Sequence, residues 1–331
     1  VRINQVVELL QGELSNSPAV DSFNSVALNL SNLKRGGLFF AKCLDDIDMA
    51  ISMGAYGIVY DKFVQMVDAE IAWIKVQDIQ ESIARLVRFY LLNKNIEVFY
   101  LKPRELEIFS QICIDEKIVI FDGNLEKLLE QISQDICYKG VVVADSGFLN
   151  LALDYTKSIV PQEKILTIHI ATLFDMRVYY KLSQYYLLLP ALFFDELSAV
   201  VHLCQNYQID FDLRAFRNLP SVLPSFVDQT PKLLEYGQSE RVVIAQKGLN
   251  DFREYVNYIA QNGKWGKMKV FVPRDCDFDF DFDVMFYANH EELLKFIGNE
   301  KFNFALVLGL ENQELAEMLN KPRVESAATL F

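Results

Sequence analysis

Apolar positions recur along this chain in two alternating rhythms. Short runs in which nearly every residue is apolar are followed by longer stretches in which apolar residues return every three or four positions. The first rhythm marks strands buried on both faces, and the second marks amphipathic helices. NQVVELLQG predicts a short helix closed by Gly12, and GGLFFAK predicts a buried strand. DDIDMAISMGA predicts a helix with Gly54 at its C-terminal end, followed by strands in YGIVYD and IAWIKV. The strongest helical pattern is DIQESIARLVRFYLLNKN. Its Ile79, Ile83, Leu86, Val87 and Tyr90 share one face, and Asp78 stands at the N-cap with Glu81 three residues on.

The middle of the chain is less regular. IEVFYL, KIVIFD and GVVVAD predict buried strands, and ILTIHIA predicts an alternating one. LEKLLEQI, SGFLNLALDYTK, DELSAVVHLCQNY and DFDLRAFRNL predict helices, and a stretch with Pro220, Pro224 and Pro231 follows. Regular alternation then returns. Strands are predicted in RVVIAQ, KMKVFVP, VMFYA and FALVLG, with helices in NDFREYVNYIAQN, HEELLKFI and ENQELAEMLNK. Strand–helix alternation with buried strands predicts an α/β fold with mostly parallel sheets. The changes of rhythm divide the chain into three domains, residues 1–95, 96–237 and 238–331.

Composition narrows the classes of function. The chain has 331 residues, 51% of them hydrophobic and 23% charged, enough apolar material for real cores. The formal net charge is −13 and no basic run interrupts it, which argues against a nucleic-acid partner. The most apolar run, YYLLLPALFF, is too short to span a bilayer and carries a proline, so it is expected in a core. The start, VRINQVVELL, lacks the shape of a signal peptide. Five cysteines, odd in number and without a CxxC pair, read as reduced thiols, several of them in cores. Together these features point to the cytoplasm and to no membrane span.

In LKRGGLFFAK, then SMGAYGIVYD, then IKVQDIQESIARLVRFY, the residues Lys34, Gly36, Leu38, Phe39, Ala41, Gly54 and Ala55 stand in the order of a known pattern. The stretch resembles the N-terminal domain of the Mur ligases, ATP-dependent enzymes that extend UDP-N-acetylmuramoyl peptides. The member most like it adds D-alanyl-D-alanine. In that family an Asp-Ser-Arg segment precedes a Lys-Pro-Gly-Asp-Leu-Phe-x-Ala strand. LLLPALFFDELSAVVHLCQNYQI and ALVLGLENQELAEML, with Gly309, are similar to later family segments. The resemblance implies a three-domain architecture with a reduced central domain and a Rossmann-like C-terminal domain.

The family's chemistry can be tested residue by residue. Ligation through an acyl phosphate needs a glycine-rich loop and a lysine around the ATP phosphates. That loop belongs after IEVFYL, where KPRELEIFSQI stands. No glycine lies between Gly57 and Gly123, and Pro103 removes an N–H donor. NGKWGKMK, residues 262–269, lacks the P-loop pattern and joins a helix to a strand. The family's Gly-His-Asn falls near Ala191, Leu192 and Phe193, and its terminal Lys-Gly-Ser is Leu308, Gly309 and Leu310. His169 and His202 read as satisfied histidines in apolar surroundings, and His290 as a helix N-terminal residue. None pairs at metal-ligand spacing, so no metal site is expected. DCDFDFDFD, residues 275–283, would as a strand put Phe278, Phe280 and Phe282 on one face and aspartates on the other.

These readings name no catalytic residue. Aligned on the Gly-x-Leu-Phe strand, the nucleotide-facing Asp-Ser-Arg falls on Asn29, Leu30 and Ser31. Asn29 and Ser31, with Lys42, which could contact a diphosphate together with Ser31, are the candidate ligand-binding residues. The expected function is that of a non-catalytic, Mur-ligase-like binding or scaffold component linked to peptidoglycan-precursor metabolism. It would use no cofactor, and its partner would be a UDP-sugar precursor or another protein. The alternative is a divergent ligase, which would need ATP and Mg.

Overall fold

The computed structural model describes residues 2–276 and 282–320. The chain divides into two compact units, one of Val1–Leu106 with Ile114–Ser158 and one of Glu107–Cys113 with Ile159–Phe331.

The first unit contains α1 (Ile3–Leu10), β1 (Glu13–Leu14), β2 (Val26–Ala27), β3 (Leu38–Phe40), α2 (Asp46–Ser52), β4 (Gly57–Tyr60), β5 (Ala72–Lys75) and α3 (Ile79–Asn93). There follow β6 (Glu97–Tyr100), α4 (Pro103–Ile112), whose last residues belong to the second unit, β7 (Ile118–Ile120), α5 (Leu125–Ile132), β8 (Gly140–Val143) and β9 (Thr156–Lys157). Two sheets result. One has the order β1-β5-β4-β3-β2, parallel except for β1, and the other the all-parallel order β7-β8-β6-β9. Alternation along the strands sends Leu38, Phe40, Val59, Ala72 and Ile74 into a core shared with α1 and α3. It sends Phe39, Ile58 and Trp73 into a second core beneath α2. α3 starts where its sequence predicts: Asp78 Oδ1 accepts the Glu81 N–H at 2.7 Å.

The second unit holds a three-stranded antiparallel sheet of β10 (Leu166–Ala171), β11 (Met176–Tyr180) and β12 (Ser183–Leu187). α6 (Phe194–Asn206), β13 (Ser225–Val227), β14 (Leu233–Leu234), β15 (Val242–Gln246) and α7 (Leu249–Asn262) come next. β16 (Met268–Pro273), β17 (Val284–Tyr287), α8 (His290–Asn299), β18 (Phe304–Leu308) and α9 (Asn312–Asn320) complete it. Its main sheet runs β14-β13-β15-β18-β16-β17, with β15, β18, β16 and β17 mutually parallel as in a Rossmann-like domain. All five residues of β15 and of β18 are buried, which is why Val242–Ala245 and the whole of β18 read as apolar runs.

Several expectations are corrected. SGFLNLALDYTK forms a 3-10 turn over Phe148–Asn150 and then β9, because Thr156 and Lys157 pair with Phe99 and Tyr100 at the open edge of β6. DFDLRAFRNL forms only the turn Leu213–Ala215: Asp212 Oδ1 takes the Arg214 N–H, and Phe216 is extended at ψ 130°. Of the five cysteines only Cys204 is buried, while Cys43 and Cys137 are exposed. YYLLLPALFF does contribute Leu187, Leu189 and Phe193 to a core, but Tyr186 faces out. The β11–β12 hairpin and α4 were not legible as elements. The alternating aspartates and phenylalanines of residues 275–283 fall mostly outside the described residues.

Candidate functional site

Two places in the first unit are built as anion sites would be, and at both the chain's own carboxylates stand at the donors.

The first is the turn from β6 into α4. The connection is only Leu101 and Lys102. The Leu101 N–H continues the sheet, donating to Val143 O at 2.9 Å. The Lys102 N–H donates to Glu105 Oε2 at 2.8 Å, and Pro103 has no N–H to offer. Ser158 Oγ reaches the same Glu105 oxygen at 2.5 Å, and Lys102 Nζ stands 3.9 Å from Oε1. Glu105 is 2% exposed and lies in the first turn of α4, where the helix dipole favours a negative charge. A carboxylate thus sits where a phosphate-binding helix would present its N-terminus to a ligand.

The second place lies at the carboxyl ends of β2 and β3. Asn29 and Lys42, two of the residues predicted from the sequence, both point at α5. Asn29 Nδ2 donates to Glu130 Oε1 at 3.0 Å, and Lys42 Nζ pairs with Glu126 Oε2 at 2.5 Å. Asn32 Nδ2 adds a bond to Glu130 Oε2 at 2.8 Å, and Gln80 Nε2 one to Glu126 Oε1 at 3.0 Å. Ser31 is exposed in the 3-10 turn Leu30–Asn32 and is not brought into this cluster by any described bond. α5 is aimed by its cap: Asn124 Oδ1 accepts from the N–H groups of Glu126 and Lys127. Leu128, Leu129 and Ile132 anchor its inner face.

Sequence reasoning missed Asn32, Gln80, Glu126 and Glu130. The spacing of Glu126 and Glu130 does place them on one side of LEKLLEQI. Nothing local says which donors that side will meet.

Partial burial pushes the Glu126 carboxyl up, but donation from Lys42 and Gln80 outweighs it and holds the group below the usual glutamate range. The folded value therefore lies below the unfolded one. The stabilisation is present above the ordinary range, about 4.3, and is lost as pH falls through the folded value. Acid titration of stability is expected to show this directly. Between about pH 5 and pH 3 the urea midpoint of the parent should fall more steeply than that of Lys42→Met. Parallel curves for the two proteins would contradict the pairing.

In the second unit the carboxyl edge of the main sheet, where open α/β sheets bind ligands, is closed by side chains. Asn312 is buried, with Oδ1 accepting the Ala245 N–H at 3.1 Å and Nδ2 donating to Pro220 O and Leu223 O. Gln246 Nε2 donates to Ser221 O at 2.8 Å, and the Tyr287 hydroxyl to Leu308 O at 2.6 Å. Burial, with the Asp275 and Glu314 carboxylates behind it, pushes that hydroxyl up to about 12, so it stays a donor. Gly309 has φ +93°, and a Cβ there would stand 2.8 Å from Pro273 Cγ, so only glycine fits between the strands. A cavity of about 510 Å³ lies at the opposite edge, near the amino ends of β15 and β18, walled by Phe174, Phe226, Tyr258, Trp265 and Phe304. Ser239 and Glu240 also line it, and the Ser239 hydroxyl donates to Val227 O at 2.7 Å.

His169 is exposed on the edge strand β10 with its ring 5.4 Å from Tyr179, His202 bonds to Asn206, and His290 opens α8. Among the described residues no group of three His, Cys, Asp or Glu is placed to hold a metal ion. Among them also, no helix is long and apolar enough to cross a membrane.

No protein-family model and no curated sequence matches the chain. Solved structures do. The chain is similar to MurF from Acinetobacter baumannii, at 10% identity and a TM-score of 0.53, over 97% of this chain and 99% of that one. It is similar to MurF ligase from Thermotoga maritima in complex with ADP, at 10% identity and a TM-score of 0.51, over 89% of this chain and 97% of that one. At this identity the likeness concerns the fold, and it runs through nearly the whole molecule.

Proposed function

We propose that this chain, which has the fold of the Mur ligases, is a non-catalytic form of that architecture. It acts as a binding or scaffold component in the cytoplasm, linked to peptidoglycan-precursor metabolism. The observation that carries the reading is Glu105. Phosphoryl transfer depends on backbone N–H groups and a lysine converging on phosphate oxygens. Here the N–H groups of the β6–α4 turn are consumed by the sheet and by Glu105, and a triphosphate would meet a buried carboxylate. On this reading the protein takes neither ATP nor Mg.

The Asn29–Lys42 cluster supports the same reading for the nucleotide-sugar position. A diphosphate there would compete with Glu126 and Glu130 for donors that already reach them. A protein partner is therefore favoured over a UDP-sugar, and nucleic acid is disfavoured by the net charge of −13.

Calorimetric titration of the full chain tests the reading. ATP–Mg and UDP-N-acetylmuramoyl-tripeptide are each expected to give no saturable heat at concentrations up to about 1 mM, weaker than about −4 kcal/mol of binding. Saturable ATP binding, with ADP released on adding D-alanyl-D-alanine, would establish a divergent ligase instead.

A further inference from the structure

The helix layer of the first unit is incomplete above one face of its five-stranded sheet. β3 reaches β4 through α2, but β4 reaches the parallel strand β5 through residues 61–71 with no helix at all. Parallel crossovers usually carry a helix that covers the sheet. This crossover lies on the same face as α2: Val64 and Ile71 join the core that Ile47 and Ala50 enter, over Phe39, Ile58 and Trp73. It is pinned, with Trp73 Nε1 donating to Asp68 O at 2.6 Å and the Glu70 N–H to Asp68 Oδ1 at 2.8 Å.

What these two neighbouring segments show to solvent is unusual. Leu44, Met49 and Met53 at α2 are 42%, 55% and 40% exposed, and Phe63, Met66 and Val67 on the crossover are 92%, 47% and 61% exposed. Single exposed apolar residues are ordinary, whereas a group of large ones in one layer marks a contact surface. Three of the six are methionines, whose flexible thioethers adapt to a partner's side chains. The charge around them is mostly acidic, with the basic Arg35 lying against Gly54 beside Met53. Between residues 44 and 70 stand Asp45, Asp46, Asp48, Asp61, Asp68 and Glu70, against Lys62 as the sole basic residue.

We propose that this face binds an amphipathic helix with a basic polar side, supplied by a partner protein and packed on the outer side of α2 and the β4–β5 crossover. The apolar stripe of such a helix packs on Met49, Met53, Phe63 and Met66. Its lysines and arginines then meet the acidic rim. Charge complementarity selects this occupant over an acidic peptide, and also over an anionic lipid surface, which the rim repels. The proposal holds whether or not the chain retains ligase activity.

The test uses the full chain and a synthetic Leu/Lys peptide of about 18 residues, five helical turns, with its leucines on one stripe. Saturable binding is expected by fluorescence anisotropy, with a gain of peptide helicity by circular dichroism. A peptide of the same composition with scattered leucines, and a Leu/Glu counterpart, should each bind at least about tenfold more weakly. Met49→Ser combined with Met66→Ser should weaken binding about tenfold. Asp45→Asn with Asp48→Asn should weaken it less and reduce its salt dependence. All four positions lie on the surface, so an unchanged urea midpoint will show that the fold is intact. Equal binding of the scattered peptide, no binding at all, or an unaffected methionine variant would overturn the proposal. A dimer in sedimentation velocity that dissociates on Phe63→Ser would also overturn it, assigning the face to a second copy of the chain.

Discussion

Asn312→Ala is expected to destabilise the second unit by about 3–4 kcal/mol, read as a lower urea midpoint with an unchanged slope. The side chain closes a gap that backbone cannot close. Its oxygen accepts the Ala245 N–H near the carboxyl end of β15, and its amide donates to Pro220 O and Leu223 O in the proline-bearing loop. Alanine leaves the buried Ala245 N–H and two part-buried carbonyls without these bonds, and it opens a cavity at the first turn of α9. Asn312→Asp gives a sharper result. The acceptor is kept, but a carboxylate oxygen now faces two carbonyl oxygens. That contact raises the carboxyl's folded pKa above the unfolded value of about 3.9, so the variant's stability is fullest in acid and falls as pH rises through the raised value. A pH-independent loss in Asn312→Asp would show that the two carbonyls are not held against the side chain.

Glu105→Ala is expected to cost about 3 kcal/mol, and Glu105→Gln less than about 1 kcal/mol. One oxygen sets the difference. Oε2 accepts both the Lys102 N–H and the Ser158 hydroxyl, so a glutamine carbonyl placed there keeps both bonds. The longer contact to Lys102 Nζ, at 3.9 Å and with the lysine exposed, is lost together with the modest charge–dipole attraction at the start of α4. Alanine removes the acceptor and strands two part-buried donors. If the two variants lose equal stability, the charge rather than the acceptor matters. The turn would then be holding an electrostatic balance closer to that of a phosphate site.

The glycine-free turn and the group that fills it are not equally legible in the sequence. The glycine-free turn at residues 101–103 could be read directly, because a phosphate loop needs residue types that are missing there. Glu105 as the group filling the turn could not, since Ser158 lies 53 positions away and joins it only through β9. β9 itself was masked by SGFLNLALDYTK, whose helical spacing loses to pairing at the edge of β6. Asn29 is legible by alignment to a strand pattern and Lys42 as a cation for a diphosphate, yet the carboxylates they meet lie 101 and 84 positions further on.

What the sequence by itself determined is the set of elements whose pattern agrees with their burial. The unbroken apolar runs at β15 and β18 can only be buried strands, the stripe of α3 with its Asp78 cap can only be a helix against a sheet, and Gly309 marks a backbone that leaves no room for a side chain. These follow from local propensity and from the cost of exposing apolar surface. What only the tertiary structure decided is which polar groups meet. Hydrogen bonds and ion pairs act over about 3 Å, and their partners here come from elements far apart in the chain. Whether Lys42 holds a ligand or Glu126 depends on where α5 comes to rest, and no periodicity in the chain encodes that.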